Sequence, residues 1–251
     1  MSIRCLQLTI SAGLSALCVL GLAAGAAVGA DFSYDQNALP NAKPWTSDAF
    51  NDDPSHFQFL IVGDRTGGAN VEGTFRLAID QINLLQPEFV INVGDLIEGY
   101  SDDKAKLNAE WDESDKMLSG LDMPFFRTPG NHDIANTTAQ AVWRERYGST
   151  YYAFVYEDTL FIVLDSEDPP RPSPKDMEEK IETYNRLQTE DPEAAKKMLA
   201  EFMSDDSVVA GLAVPVEFQD DQMAFLKNAL EQNPDVRWTF VFLHEPAWEK
   251  P

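Results

Sequence analysis

The stretch Gly130-Asn131-His132-Asp133 follows a short apolar run, Met123 to Phe126. Two earlier apolar runs end in the same manner, with the pairs Gly63-Asp64 and Gly94-Asp95. Short apolar runs bounded by turn residues are typical of buried strands. The sequence therefore predicts three strands, each followed by a loop that presents a carboxylate, an amide or an imidazole.

A fourth apolar run, Trp238 to Leu243, ends at His244. Carboxylate and amide oxygens and imidazole nitrogens are ligands that hard and borderline divalent metals prefer. In α/β proteins, ligands bind outside the carboxyl ends of the strands. We therefore predict a metal site at one sheet edge, and its expected ligands are Asp64, Asp95, Asn131 and His244.

The segment between the first two strands predicts a helix, since its apolar residues recur at helical spacing. These residues are Phe75, Leu77, Ala78, Ile82 and Leu85. Strand, helix and strand in succession indicate a parallel pair. Further helices are predicted at about 104–118, 137–147 and 222–230, and a hairpin at 151–164.

Residues 166–215 interrupt this alternation of strands and helices. They begin with a proline-rich segment (169–174), continue as a charged helical stretch (175–203) and close with an apolar loop that contains Gly211 and Pro215. We interpret them as an insertion or cap over one side of the sheet. The alternative is a solvated helical excursion without a catalytic role.

Residues 1–30 are typical of a secretory signal peptide. Arg4 is their only charged residue, an apolar stretch runs from about Leu14 to Val28, and Val28-Gly29-Ala30 forms a small-residue cleavage site. An uncleaved membrane anchor is the alternative, but the Gly and Ala content of its end favours cleavage. We expect an exported domain spanning residues 31–251, periplasmic or secreted, without a stable membrane anchor.

The composition restricts both partners and ligands. The formal net charge is −23, and removal of the leader with its one basic residue, Arg4, leaves −24. Such a surface repels phosphate backbones, so no nucleic-acid partner is expected. The two cysteines, Cys5 and Cys18, both lie in the leader. Any metal in the exported protein must therefore be held by oxygen and imidazole ligands.

The order of these motifs resembles the calcineurin-like metallophosphoesterase superfamily. Its members place Asp-x-His, Gly-Asp, Gly-Asn-His-Asp/Glu, a single His and Gly-His-x-His on successive loops around two metal ions. The resemblance covers roughly residues 57–165 and 217–248. It implies an α/β fold in which helices flank a β-sandwich (αββα), and hydrolysis of small phosphate mono- or diesters with two divalent ions, Mn, Zn or Fe.

The resemblance also implies roles for single residues. Asp95 would bridge both metals, Asp64 would bind the first metal, and Asn131 and His244 would bind the second. Ions held in this way clamp a phosphoryl group and activate water.

Two further roles concern residues of the Gly130-Asn131-His132-Asp133 stretch. His132 would protonate the leaving oxygen, and Asp133 would orient its imidazole ring.

The first motif departs from the family pattern. Thr66 occupies the position of its histidine, and Arg65 is a candidate for bidentate contact with the substrate phosphate. Purple acid phosphatases, which lack that histidine, have a tyrosine three residues after the second aspartate, where this chain has Glu98. Tyr100 lies two residues further along and is expected to point elsewhere.

The second departure is the lack of Gly-His-x-His, since the three histidines are His56, His132 and His244. We interpret the sequence as a fragment whose C-terminal strands are missing. Two alternatives to a phosphoesterase stay open. One is a pseudoenzyme with one metal or none that binds a ligand or partner through the insertion, and the other is a two-metal hydrolase of a non-phosphate ester.

Overall fold

The structure is a computed structural model that describes residues 32–50, 56–66, 73–170, 176–206, 208 and 216–247. The predicted leader lies outside the described residues. The same holds for residues 171–175, 207 and 209–215 of the predicted insertion.

Three parallel strands form the first sheet, as the sequence predicts. They are β2 (Phe59–Val62), β3 (Phe89–Asn92) and β4 (Phe125–Phe126), in the order β2-β3-β4. The helices α1 (Thr74–Leu85) and α2 (Lys104–Leu118) make the crossovers between them. The carboxyl ends of all three strands therefore lie at one edge of this sheet.

The second sheet has the order β1-β5-β6-β7. Its strands are β1 (Phe32–Tyr34), β5 (Tyr152–Tyr156), β6 (Thr159–Val163) and β7 (Trp238–Phe242). The predicted hairpin is confirmed as the antiparallel pair β5 and β6, whereas β7 pairs in parallel with β6. The fourth apolar run thus belongs to a different sheet from the first three, which corrects the prediction of a single sheet edge.

The two sheets pack face to face through a core dominated by aromatic rings. Side chains on β5 alternate between buried and half-buried, because successive residues point to opposite faces of a strand. Phe154 of β5 stacks on Phe126 of β4 with ring centroids 4.1 Å apart. The other buried members include Trp45, Phe89, Ile91, Tyr152, Tyr156, Phe161, Val163 and Phe242.

Helices cover the outer face of each sheet. The three-stranded sheet packs against α1, α2 and α3 (Thr137–Tyr147), with Trp111 and Trp143 at the centre of that contact. The four-stranded sheet packs against α6 (Asp220–Gln232) through Leu160, Ile162 and Ala229. Because helices flank a β-sandwich on both sides, the predicted αββα fold is confirmed.

The strand β7 is the last strand of its sheet among the described residues. Trp238 is 58% exposed and Val241 is 46% exposed. No described helix is both long enough and apolar enough to cross a bilayer.

The inserted segment forms two helices rather than one charged helical stretch. These are α4 (Met177–Glu190) and α5 (Pro192–Phe202). The break lies at Asp191, because an aspartate followed by proline is a typical start of a new helix. The Asp191 side chain accepts a hydrogen bond from the Ala194 N–H. Lys106 of α2 bonds to Glu178 and Glu182 of α4, at 2.7 and 2.6 Å. The insertion therefore lies against α2.

Candidate metal centre

Three of the predicted ligands converge at the carboxyl ends of their strands. Asp64 follows β2, Asp95 follows β3 and His244 follows β7, and one ligand atom of each lies within 4.8 Å of the other two. Asp95 Oδ2 lies 3.4 Å from His244 Nε2. The cluster therefore receives ligands from both sheets.

Asn131 joins this cluster through its amide oxygen. Oδ1 lies 2.8 Å from His244 Nε2, and Nδ2 donates a hydrogen bond to the Tyr100 hydroxyl at 2.7 Å. The oxygen, which is the atom able to bind a metal, thus faces the cluster.

The ring of His244 is oriented by the carbonyl of Val93, 2.7 Å from Nδ1. Because a carbonyl only accepts, Nδ1 carries the hydrogen, and Nε2 is the atom directed at Asp95 and Asn131. Burial lowers the pKa of His244, but the Asp95 carboxylate and the Val93 carbonyl raise it more, so the net shift is upward. In the neutral ring this arrangement leaves the lone pair on Nε2, the atom that faces the cluster.

Glycines allow the loops of the cluster to approach each other closely. A Cβ on Gly94, whose φ is 109°, would collide with the His244 ring. A Cβ on Gly130 would collide with the Asp95 carboxylate. The glycine that precedes Asp95 and the one that precedes Asn131 are thus required by close packing of the site.

His132 lies beside Asp95 without entering the ligand cluster. Its backbone N–H donates to Asp95 Oδ1 at 3.0 Å, and its ring Nε2 is 4.0 Å from Asp95 Oδ2. Its Nδ1 lies 2.7 Å from the Glu98 carbonyl, so Nδ1 is the protonated donor. The ring is therefore fixed with Nε2 available for proton transfer.

Asp133 does not orient His132, and that prediction is wrong. Its fully buried carboxylate accepts four backbone hydrogen bonds, which come from the N–H groups of Asp95, Leu96, Ile97 and Gly130. Burial and the charge of Asp95 raise the pKa of Asp133 to about 7. The Glu98 carbonyl performs the orienting role instead, while Asp133 ties the Asp95 loop to its own turn.

Arg65 is also placed differently from the prediction. It is buried, and its two terminal nitrogens donate to the Leu96 carbonyl and to Glu113, both at 2.8 Å. This placement contradicts a contact with substrate phosphate. Thr66 is buried as well, and its hydroxyl donates to the Asp95 carbonyl at 3.2 Å, so neither side chain belongs to the ligand cluster.

Tyr100 contributes to the site, contrary to the expectation that it points elsewhere. Besides its contact with Asn131, its ring packs edge-to-face on His132, with centroids 4.9 Å apart. Burial raises the pKa of Tyr100 to about 12, so the hydroxyl stays protonated at neutral pH. Its backbone φ is 55°, in the left-handed region, which spacing along the sequence does not reveal.

Comparison with known proteins identifies the family. The family model for calcineurin-like phosphoesterases matches residues 57–250. The chain belongs to the calcineurin-like phosphoesterase family. Its members hydrolyse phosphoester bonds with divalent metals. No curated protein sequence matches the chain.

The donor set of this family member fits divalent ions. Two carboxylates, an amide oxygen and an imidazole suit Mn, Zn or Fe. Ligand bonds of about 2.1 Å place two neighbouring ligand atoms roughly 3 Å apart. The 3.4 Å between Asp95 Oδ2 and His244 Nε2 is close to that spacing.

Proposed function

We propose that this protein is an exported phosphoesterase that hydrolyses small phosphate mono- or diesters at a dinuclear metal centre. The observation that carries the proposal is the convergence of Asp64, Asp95 and His244, with the Asn131 oxygen 2.8 Å from His244. Asp95 would bridge the two ions, because its carboxylate is approached by both Asp64 and His244. Asp64 would then bind one ion, and Asn131 and His244 would bind the other.

The metal ions, His132 and the Glu98 carbonyl have different roles in the proposed reaction. Two divalent ions, when bound, would supply charge neutralisation at the phosphoryl group and would activate water for in-line attack. His132, when it is protonated at Nε2 as well as at Nδ1, would donate the Nε2 proton to the leaving-group oxygen as the bond from that oxygen to phosphorus breaks. The Glu98 carbonyl holds the opposite side of the ring, at Nδ1, so that Nε2 faces the reacting atoms.

The exposed position of Asp64 agrees with a substrate that reaches the centre from solvent. The net charge of −23 argues against nucleic acid as that substrate, because most of the surface would repel its backbone. A small phosphate ester meets the ions without facing that repulsion over a large area. Export rests on the leader at residues 1–30, and mass spectrometry of the exported protein should find Asp31 at its N-terminus.

A second candidate function is a binding protein with one metal or none. Thr66 favours it, because its hydroxyl is engaged by the Asp95 carbonyl and the position supplies no imidazole. Such a protein would bind a ligand or partner through the inserted helices. It would bind metal weakly and turn over no phosphate ester.

The decisive experiment is hydrolysis of p-nitrophenyl phosphate and of bis-p-nitrophenyl phosphate by the full chain. The protein is stripped of metal and then supplied with Mn²⁺, Zn²⁺ or Fe²⁺. We expect turnover that requires an added ion and that chelator abolishes. Metal binding without hydrolysis of either ester would favour the binding protein over the phosphoesterase.

A further inference from the structure

We propose that Tyr100 is a positioning residue that holds the Asn131 amide with its oxygen turned toward the metal centre. The inference rests on the proposed function, since it assigns a task to a neighbour of a proposed ligand.

The Asn131 amide ends in two atoms, an oxygen and a nitrogen, which are similar in size but differ in chemistry. Its oxygen has lone pairs that can bind a metal, whereas its nitrogen carries two hydrogens and cannot. Rotation by 180° about the last side-chain bond would exchange the two atoms. The Tyr100 oxygen, 2.7 Å from Nδ2, accepts a hydrogen bond from the nitrogen, and His244 Nε2 lies 2.8 Å from Oδ1, so the two contacts together hold the oxygen on the side of the cluster.

Tyr100 can do this because its own loop is fixed on several sides. The Gly99 N–H donates to Glu110 at 2.9 Å, and the Ser101 carbonyl accepts from Asn136 at 3.1 Å. The left-handed φ of 55° at Tyr100 is a costly conformation for a non-glycine residue and persists only where the surroundings hold it.

The same loop contacts both functional side chains of the Asn131-His132 turn. The Glu98 carbonyl holds the His132 ring at Nδ1, and the Tyr100 ring packs on its edge. Removal of the Tyr100 hydroxyl alone leaves those His132 contacts in place. Its effect should therefore be confined to Asn131.

The test is the substitution Tyr100→Phe, which keeps the ring and removes the acceptor oxygen. Loss of an outer contact to a metal ligand typically weakens metal affinity about 10- to 100-fold. We expect a loss of this size for Mn²⁺, measured by titration calorimetry on the metal-free full chain. Tyr151→Phe is the matched control, because the Tyr151 hydroxyl contacts Asp221 of α6, and its Mn²⁺ affinity should equal that of the unaltered protein.

A double-mutant cycle separates positioning from a general structural effect. In the Asn131→Ala background there is no amide to orient, so Tyr100→Phe should cause no further loss of Mn²⁺ affinity. An equal loss in both backgrounds would overturn the positioning role. Unchanged Mn²⁺ affinity in Tyr100→Phe would also overturn the positioning role, but it would leave the proposed metal centre intact. If the unaltered protein did not bind Mn²⁺, both the metal centre and the positioning role would be overturned.

Discussion

Oδ2 of Asp133 accepts a hydrogen bond from the backbone N–H of Asp95 at 2.8 Å, although the two residues are 38 positions apart. The other carboxylate oxygen accepts from Leu96 at 2.8 Å and from Ile97 at 3.2 Å. Asp133 thus holds the backbone that carries the proposed bridging carboxylate. Because Asp133 adjoins His132 in the sequence, its structural role in holding the Asp95 loop is not evident from the sequence.

Asp133→Asn should destabilise the fold and weaken the metal site together. An amide in place of the carboxylate turns an NH₂ group toward two backbone donors, and each buried N–H without an acceptor costs about 1–3 kcal/mol. We expect the free energy of unfolding to fall by roughly 2–6 kcal/mol in urea titrations.

The matched control is Asp80→Asn, which changes an exposed carboxylate on α1 and should leave stability within about 0.5 kcal/mol. If Asp133→Asn were as stable as the unaltered protein, the four hydrogen bonds would not hold the loop.

Asp95→Asn should abolish metal-dependent turnover. The amide removes the charge that Asp64 and His244 approach, so both proposed metal positions lose affinity. Metal content by elemental analysis and turnover of p-nitrophenyl phosphate measure the effect. Activity within a few-fold of the unaltered protein would exclude the bridging role.

His132→Ala should leave metal content intact and lower turnover about 10²- to 10⁴-fold, the usual contribution of a general acid. The backbone N–H of residue 132, which donates to Asp95 Oδ1 at 3.0 Å, survives the substitution. The deficit should shrink for substrates whose leaving group is already acidic, since these need no protonation. Loss of metal in this variant would instead make His132 a ligand.

Metal affinity should rise with pH through the titration of His244. Its raised pKa in the metal-free protein means that Nε2 keeps its proton up to a higher pH, and that proton must leave before the lone pair binds a metal. Affinity is therefore low below this pKa and reaches a plateau above it. In His244→Gln the pH dependence of Mn²⁺ binding should flatten, and an unchanged slope would assign the proton to another group.

Much of the centre could be predicted because it follows from strand ends. Asp64 and Asp95 follow parallel neighbouring strands, so their convergence needs no knowledge of side-chain contacts. The sequence does not show which of the two sheets contains the strand before His244. A buried parallel strand has the same apolar composition in either sheet, and pairing of β7 with β6 depends on the whole chain.

Other features were hidden for different reasons. The break at Asp191-Pro192 has a recognisable signal, a capping residue followed by proline, which the high charge of the segment obscured. Tyr100 had no such signal. Its contact with Asn131 depends on a left-handed backbone at a tyrosine, which residue spacing does not predict.

The origin of the ligands in two sheets has a mechanical consequence. His244 follows a strand that pairs with β6 alone among the described strands, and such edges open more readily than sheet interiors. An ion bound by both Asp95 and His244 would link the end of β3 in one sheet to the end of β7 in the other. Amide hydrogens of β7 should then exchange more slowly with metal present, so that hydrogen exchange in this strand reports whether the centre is occupied.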